Sequence, residues 1–171
     1  MAIFTGRKTH HYEGELVVFL IGMRINKPWR IDKWLPVVRA MGPMLTELTR
    51  DPDSGLRGFR LGLGVDGPFL VQYWSSVEKL YAYANDTSRK HRPAWLEYYR
   101  RARNAKKAVG VWHETYTVNR AESMYVNMPR TGLAAATQHV SVTENMRHAS
   151  DRLNDGTTTA RPSTDRDDQT H

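Results

Sequence analysis

The segment from Leu16 to Ile25, with the sequence LVVFLIGMRI, constrains the fold of this chain most strongly. Its apolar residues are nearly continuous, which is typical of a strand covered on both faces. A strand at a solvated surface would alternate apolar and polar residues instead. One side of the segment ends in Gly22, Arg24 and Asn26, so we expect an opening with polar groups at that end.

The segments that follow predict the order of the remaining elements. A helix with apolar residues at helical spacing precedes a strand at Leu56–Val65, a tight turn and a return strand at Pro68–Trp74. A second helical region then leads to a last strand at Val109–Val118. The order strand, helix, strand, strand, helix, strand predicts an α+β fold with a ferredoxin-like βαββαβ antiparallel sheet.

In such a fold the helices cover one face of the sheet and leave the other face exposed. Here the uncovered face is apolar, and the chain contains no internal repeat that would cover it. A second copy of the chain is the usual solution. We therefore expect a homodimer of the dimeric α+β barrel type.

The strand at Leu56–Val65 has glycine at alternate positions. Gly58, Gly62 and Gly64 share one face with Arg60. Glycine inside a strand often marks the close approach of a ligand or of another backbone. Arg60, like Arg24 beside Gly22, needs an anionic partner if it is buried, such as a substrate carboxylate or a haem propionate. The alternative is that both arginines reach solvent at the strand ends.

Length and composition predict one folded domain with two extensions. A chain of 171 residues favours a single domain. We expect an N-terminal arm at residues 1–14, the barrel domain at 15–137 and a polar tail at 138–171. The tail has no aromatic residue and is rich in Ser, Thr, Asp and Arg, so we predict that it is disordered.

The net charge of +7 favours an anionic partner. Nucleic acid, a phosphorylated or carboxylated ligand and haem propionates are all consistent with it. The basic run from Arg89 to Lys107 contains no nucleic-acid recognition motif, so a nucleic-acid partner is disfavoured. The chain has no cysteine, which excludes disulfides and thiolate metal sites. No apolar run is long enough for a membrane span, so a cytoplasmic protein is expected. We also expect a small-molecule substrate.

The turn from Gln72 to Leu80 joins the return strand to the second helix. Ser75 and Glu78 have the spacing of a capping box, in which each side chain accepts a hydrogen bond from a backbone N–H group at the start of the helix. The turn and the lone His91 that follows it resemble the antibiotic-biosynthesis-monooxygenase-like group of dimeric α+β barrels. The residues that carry this resemblance are Tyr73, Trp74, Ser76, Glu78, Leu80 and His91.

A second resemblance lies toward the C-terminus. The sequences WHETY at 112–116, YVNMP at 125–129 and GLA at 132–134 resemble proteins called the monooxygenase family, which are similar in turn to the haem-containing aldoxime dehydratases. The two resemblances together cover roughly residues 15–135. They imply either a haem enzyme with redox or dehydration chemistry, or a cofactor-free monooxygenase that oxidises electron-rich aromatic molecules with O₂.

For the haem enzyme, the resemblance implies haem b ligated through His91, which would be the only metal ligand from the protein. A neutral imidazole is a natural axial ligand for haem iron. Arg60 and Arg92 are the candidate partners of the propionates. The alternative for His91, which lies among Arg89, Lys90 and Arg92, is a histidine at the surface.

The candidate catalytic residues around the same cavity are Arg24, Asn26, Trp74 and His113. The resemblance implies the positions of Trp74 and Asn26. His113 is a candidate acid/base group because the reference pKa of histidine lies near neutrality. Its alternatives are a core histidine bonded to the backbone, or the iron ligand in place of His91. A non-enzymatic ligand-binding or sensing module that uses the basic face is the third candidate function.

Overall fold

The computed structural model describes residues 2–85 and 99–154. A four-stranded antiparallel sheet forms its centre, with the strand order β3-β4-β2-β5. This order is that of the ferredoxin-like fold, so the predicted α+β class is confirmed. The strands are β2 (Leu16–Ile25), β3 (Leu56–Leu63), β4 (Pro68–Trp74) and β5 (Val109–Val118).

Helices cover one face of this sheet. They are α1 (Ile31–Arg50), α2 (Val77–Asn85) and α3, whose described residues are 99–104. Alternate residues of β2 pack against α1, because successive side chains of a strand point to opposite faces. Val17, Ile21 and Met23 meet Val37 and Met44 in this core. None of the described helices combines the length and apolarity needed to cross a membrane.

A second, three-stranded sheet is formed by the two ends of the chain. Its strands are β1 (Phe4–His11), β6 (Tyr125–Met128) and β7 (Gln138–Ser141), in the order β6-β1-β7. The predicted arm at residues 1–14 is therefore largely a paired strand. Two short helices, α4 (Gly132–Ala136) and α5 (Ala149–Asn154), accompany this sheet.

The predicted disorder of the tail is wrong for residues 138–154, which contain β7 and α5. Backbone pairing with β1 orders β7 without aromatic side chains. Arg152, which is 2% exposed, holds α5 by donating from Nε to Glu122 Oε1 at 2.6 Å. Composition detects neither interaction, because one uses the backbone and the other is specific to a single pair. The rest of the predicted tail, 155–171, lies outside the described residues.

The second face of the four-stranded sheet is partly covered by the chain itself. Leu133 and Ala136 of α4 form an apolar cluster with Leu16 and Tyr73 of the sheet. Gly58 of β3 permits this contact, since a Cβ there would lie 3.0 Å from Cβ of Ala136. The expectation that only a second copy covers this face is therefore corrected for this end of the sheet.

The cap of α2 differs from the predicted capping box by one residue. Ser76 Oγ, and not Ser75, accepts a hydrogen bond from the N–H of Lys79 at 3.1 Å. The N–H of Val77 donates to Glu15 Oε1 at 3.0 Å. A carboxylate distant in the sequence thus completes the cap, and local spacing could not predict it.

Candidate active site

A cavity of about 200 Å³ lies between the four-stranded sheet and the helices that cover it. The strand register explains its sheet wall, because Phe19 of β2 is opposite both Gln72 of β4 and Thr115 of β5. Residues directly opposite one another share a face of the sheet. The described lining residues are Phe19, Leu48, Gln72, Trp74, Leu80, Tyr81, Tyr83, Ala84, Tyr99, His113 and Thr115.

A buried hydrogen bond fixes the base of the cavity. Trp74 Nε1 donates to Gln72 Oε1 at 3.0 Å, and both side chains are almost fully buried. The Trp74 ring also packs against Tyr83, with 5.9 Å between the ring centroids. This arrangement satisfies the indole N–H, which would otherwise be costly in an apolar site. Trp74 is therefore a rigid wall of the cavity.

His113 borders the cavity on the edge strand β5. It pairs in register with Ile21, and its ring centroid lies 5.8 Å from that of Phe19. His113 and Thr115 are both solvent-exposed in the single chain. The imidazole is therefore accessible both to a molecule in the cavity and to water, as a proton-transferring group must be.

Two tyrosines of the cavity, Tyr83 and Tyr99, are more buried than His113. Burial raises the pKa of Tyr83 to about 12 and also raises the pKa of Tyr99. Both pKa values rise because desolvation disfavours the charged phenolate. Both phenols therefore remain neutral near pH 7, where a neutral O–H group is able to donate a hydrogen bond.

The structure brings together two of the four predicted catalytic residues, Trp74 and His113. Arg24 lies on the opposite face of the sheet, where it forms an ion pair with Asp66. Asn26, just past the end of β2, is exposed and lies beside Gly110. Arg24 and Asn26 therefore lie outside this cavity, because strand alternation directs their side chains away from the helices.

The predicted cofactor-binding residues are also separate from the described cavity. Arg60 lies on the opposite face of β3, near Tyr73, and a Cβ built on Gly132 would lie 3.4 Å from its side chain. Arg60 therefore does not line this cavity, and its role as a propionate partner stays a prediction. His91 and Arg92, the predicted iron ligand and second propionate partner, lie outside the described residues.

The glycines that predicted close approach of a ligand have partners within the chain. A Cβ at Gly22 would lie 2.5 Å from Cζ2 of Trp112, and one at Gly62 would lie 2.3 Å from Cζ of Phe69. Each aromatic ring therefore crosses a neighbouring strand over a glycine, and this contact stabilises the sheet. The two rings lie side by side, 6.5 Å apart.

Three residues of the site were not predicted from the sequence, namely Gln72, Tyr83 and Thr115. Gln72 had a detectable signal, because it is a polar residue inside the apolar strand Pro68–Trp74. Tyr83 and Thr115 had no such signal in the sequence. Their positions depend on how α2 and β5 meet the sheet, which is a property of the tertiary structure.

The described part of the cavity does not fit a haem. Its volume of about 200 Å³ is below the roughly 300–1,000 Å³ that is usual for drug-sized ligands. Its described lining contains no Lys or Arg that would pair with propionates. His113 is the one imidazole in that described lining.

Several solved structures are similar to this chain. Aldoxime dehydratase OxdRE is similar over 89% of this chain and 44% of its own length, with 14% identity and a TM-score of 0.57. SnoaB, a cofactor-independent oxygenase from Streptomyces nogalater, matches 63% of this chain and 97% of its own, with 10% identity and a TM-score of 0.44. A dimeric ferredoxin-like protein from Jannaschia sp. matches 58% and 97%, with 19% identity and a TM-score of 0.40.

The sequence itself identifies the family. No curated protein sequence matches the chain. The pattern of the monooxygenase af470-like family, in contrast, matches residues 16–133, which include all four strands of the central sheet and end within α4. This match spans more than half of the chain. The chain therefore belongs to the monooxygenase af470-like family.

Proposed function

We propose that this protein is a cofactor-free monooxygenase that oxidises a small, electron-rich aromatic molecule with O₂. The observation that carries this proposal is the position of His113 at the open edge of a cavity with aromatic walls. Family membership supports an oxygenase activity. Proton transfer and O₂ are sufficient for the reaction when the substrate anion is itself a good reductant.

The walls of the cavity support an uncharged, planar substrate. Phe19, Trp74, Tyr81, Tyr83 and Tyr99 supply aromatic surface, and the described lining holds no ionisable side chain besides His113 and the tyrosines. Apolar, largely aromatic walls with few polar groups are typical of small-molecule sites. Gln72 Oε1 already accepts the indole N–H of Trp74. Tyr83 and Thr115 are therefore the candidate hydrogen-bonding partners of a substrate oxygen.

In the proposed reaction, neutral His113 removes a proton from an activated C–H or O–H group of the substrate. The resulting anion transfers electrons to O₂, and one oxygen atom bonds to the substrate carbon. For a CH₂ group converted to C=O, the second oxygen atom leaves as water with the two hydrogens of that group. Tyr83, which stays neutral, donates a hydrogen bond to the negative charge that develops on the substrate.

Oxygen consumption by metal-free protein tests this proposal. The probes are one- to three-ring phenols and anthrones, and the protein is treated with a chelator first. We expect His113→Gln to lower the rate about 10²–10⁴-fold, which is the usual contribution of a general base. His148→Gln changes an exposed histidine outside the cavity and serves as the matched control. An unchanged rate in His113→Gln would contradict the assignment of the base.

A haem enzyme that uses His91 is the alternative predicted from the sequence. Titration with haem b, followed by its Soret band, separates the two proposals. A Soret shift that is lost in His91→Ala but kept in His113→Gln would favour the haem enzyme. Saturable binding of aromatic probes without any turnover would instead favour a non-enzymatic binding or sensing module.

We also propose that the protein forms a homodimer through the part of the sheet that α4 leaves uncovered. Phe69 and Trp112 lie there, and Tyr116, which shares their face of the sheet, is 51% exposed. Aromatic side chains on a sheet face that the chain leaves partly uncovered support an interface. Sedimentation equilibrium tests the dimer, and Trp112→Glu is expected to give the monomer.

A further inference from the structure

A second pocket, unrelated to the aromatic cavity, lies between the β1–β2 turn, the start of β3 and the junction of α4 with β7. Its volume is about 530 Å³. It shares no lining residue with the aromatic cavity. Its lining includes His11, Tyr12, Glu13, Arg57 and Gln138. We name it the Arg57 pocket.

A β-bulge directs Arg57 into this pocket. Leu56 pairs with Trp74 and Gly58 pairs with Tyr73, so Arg57 is an extra residue with no partner on β4. Bulges of this kind re-aim a side chain and are frequent beside functional sites. The Arg57 guanidinium carbon consequently lies 4.3 Å from the centroid of the Tyr12 ring.

The Tyr12 ring holds the guanidinium in place without neutralising its charge. A cation–π contact uses the flat face of the guanidinium and leaves its N–H donors at the edge available. No carboxylate in the described parts of the chain forms an ion pair with Arg57. Arg57 is therefore an oriented cation whose planar edge suits a carboxylate.

The opposite wall of the Arg57 pocket carries further polar groups. His11 and Gln138 are directly opposite in the β1–β7 register, so their side chains share a face. Glu13 Oε1 lies 3.6 Å from His11 Nε2, which directs this carboxylate toward the imidazole and not toward Arg57. The pocket thus offers one cation, one amide and one carboxylate acceptor.

We propose that the Arg57 pocket binds a small organic hydroxycarboxylate. Arg57 binds the ligand's carboxylate, Gln138 donates to a ligand oxygen and Glu13 accepts a hydrogen bond from the ligand hydroxyl. The volume lies within the range of organic ligand sites and is too large for a single inorganic ion. The net charge of +7 raises the local concentration of such an anion.

Fluorine NMR titration of the full chain with 4-fluoromandelate tests this site. We expect saturable binding, and 4-fluoromandelamide, which lacks the carboxylate, should not bind. Arg57→Gln should weaken binding about tenfold or more, because it removes a charge-assisted hydrogen bond. Arg103→Gln makes the same change in net charge at an exposed position outside the pocket and should bind like the unchanged protein.

The Tyr12 variants test how Arg57 is positioned. Tyr12→Phe keeps the aromatic platform and should retain binding, whereas Tyr12→Leu should weaken it although the charge of Arg57 is intact. Circular dichroism of each variant confirms folding. Absence of saturable binding at millimolar probe, equal binding of the amide, or an equal loss in Arg103→Gln would each overturn the proposal. Failure of the oxygenase assay would not affect it.

Discussion

Trp74 donates its indole N–H to Gln72 Oε1 at 3.0 Å, in a part of the sheet that water does not reach. The pair connects the core of the fold to the wall of the aromatic cavity. Its energetic importance comes from the cost of leaving a buried donor without an acceptor, and not from the modest net gain of the bond itself.

Replacing Gln72 by Met should therefore destabilise the protein by about 1–3 kcal/mol. The Trp74 N–H would remain buried without its acceptor. Urea denaturation measures the free energy of unfolding. In Gln72→Met combined with Trp74→Phe, the donor is also absent, so the combined loss should be smaller than the sum of the single losses. Strict additivity would show that the bond contributes nothing.

Gly22→Ala should destabilise the protein by about 1–3 kcal/mol, since the new Cβ would lie 2.5 Å from Cζ2 of Trp112 and force the indole to move. Gly42→Ala is the matched control. Apart from the chain neighbours and the backbone of α1, no atom of the described residues lies within 4 Å of a Cβ at that position, and alanine is the better helix former. It should stabilise by about 0.5–1 kcal/mol. Thermal denaturation that ranks the two variants the other way would refute this account.

Arg152→Met should release α5 from the rest of the chain. Arg152 Nε donates to Glu122 Oε1 at 2.6 Å, and Nη1 donates to the carbonyl of Met146 at 2.8 Å. Removing one partner of a buried ion pair costs about 3 kcal/mol. Limited proteolysis should cleave the variant faster within residues 144–154.

Arg147→Met removes the exposed ion pair with Glu144 and is the matched control for Arg152→Met. Exposed pairs contribute about 0–1 kcal/mol, so its cleavage rate should stay near that of the unchanged protein. Equal acceleration in both variants would indicate that Arg152 is not the anchor of α5.

Stability should decrease below pH 6.5 because of His10. Burial lowers the pKa of His10 to about 4, although nearby Glu122 opposes this shift and His11 adds to it. The unfolded chain, with a pKa near 6.5, then binds more protons than the folded chain between pH 6.5 and 4. The free energy of unfolding should fall by about 3 kcal/mol across this interval.

Urea denaturation at a series of pH values checks the His10 prediction. His10 Nδ1 lies 2.8 Å from Ser123 Oγ, and His10→Gln keeps a polar side chain while it removes the titrating group. The pH dependence between 6.5 and 4 should become markedly shallower in this variant. An unchanged slope would assign the pH dependence to other groups.

The fold class was predictable because it depends on periodic patterns that repeat along the chain. The continuous apolar run of β2 and the order of strands and helices specify the ferredoxin-like sheet, whatever the detailed packing. Trp74 lines the aromatic cavity for a similar reason. It ends a strand at the point where the chain turns into the helix that forms the next wall.

The site was predictable only in part, because the faces of a sheet are assigned by packing. The sequence placed Arg24 and Arg60 on strand faces that contain glycine. It did not reveal that aromatic rings of this chain fill the space above those glycines. It placed His113 opposite Trp112 and Glu114 on β5, without deciding which face meets the helices. The register between β2 and β5 resolves this, since Ile21 and His113 are opposite each other.

The amino-acid sequence alone was enough to predict the α+β class, the central strand, the basic character and the absence of cysteine chemistry. These properties follow from local patterns and from composition. Three other features come from the packing of the folded chain: β1 pairs with β7, Glu15 caps α2 and a bulge turns Arg57 over Tyr12. Each of these depends on contacts between residues far apart in the chain. Such contacts leave no periodic signal, because one specific pair of residues is enough to make them.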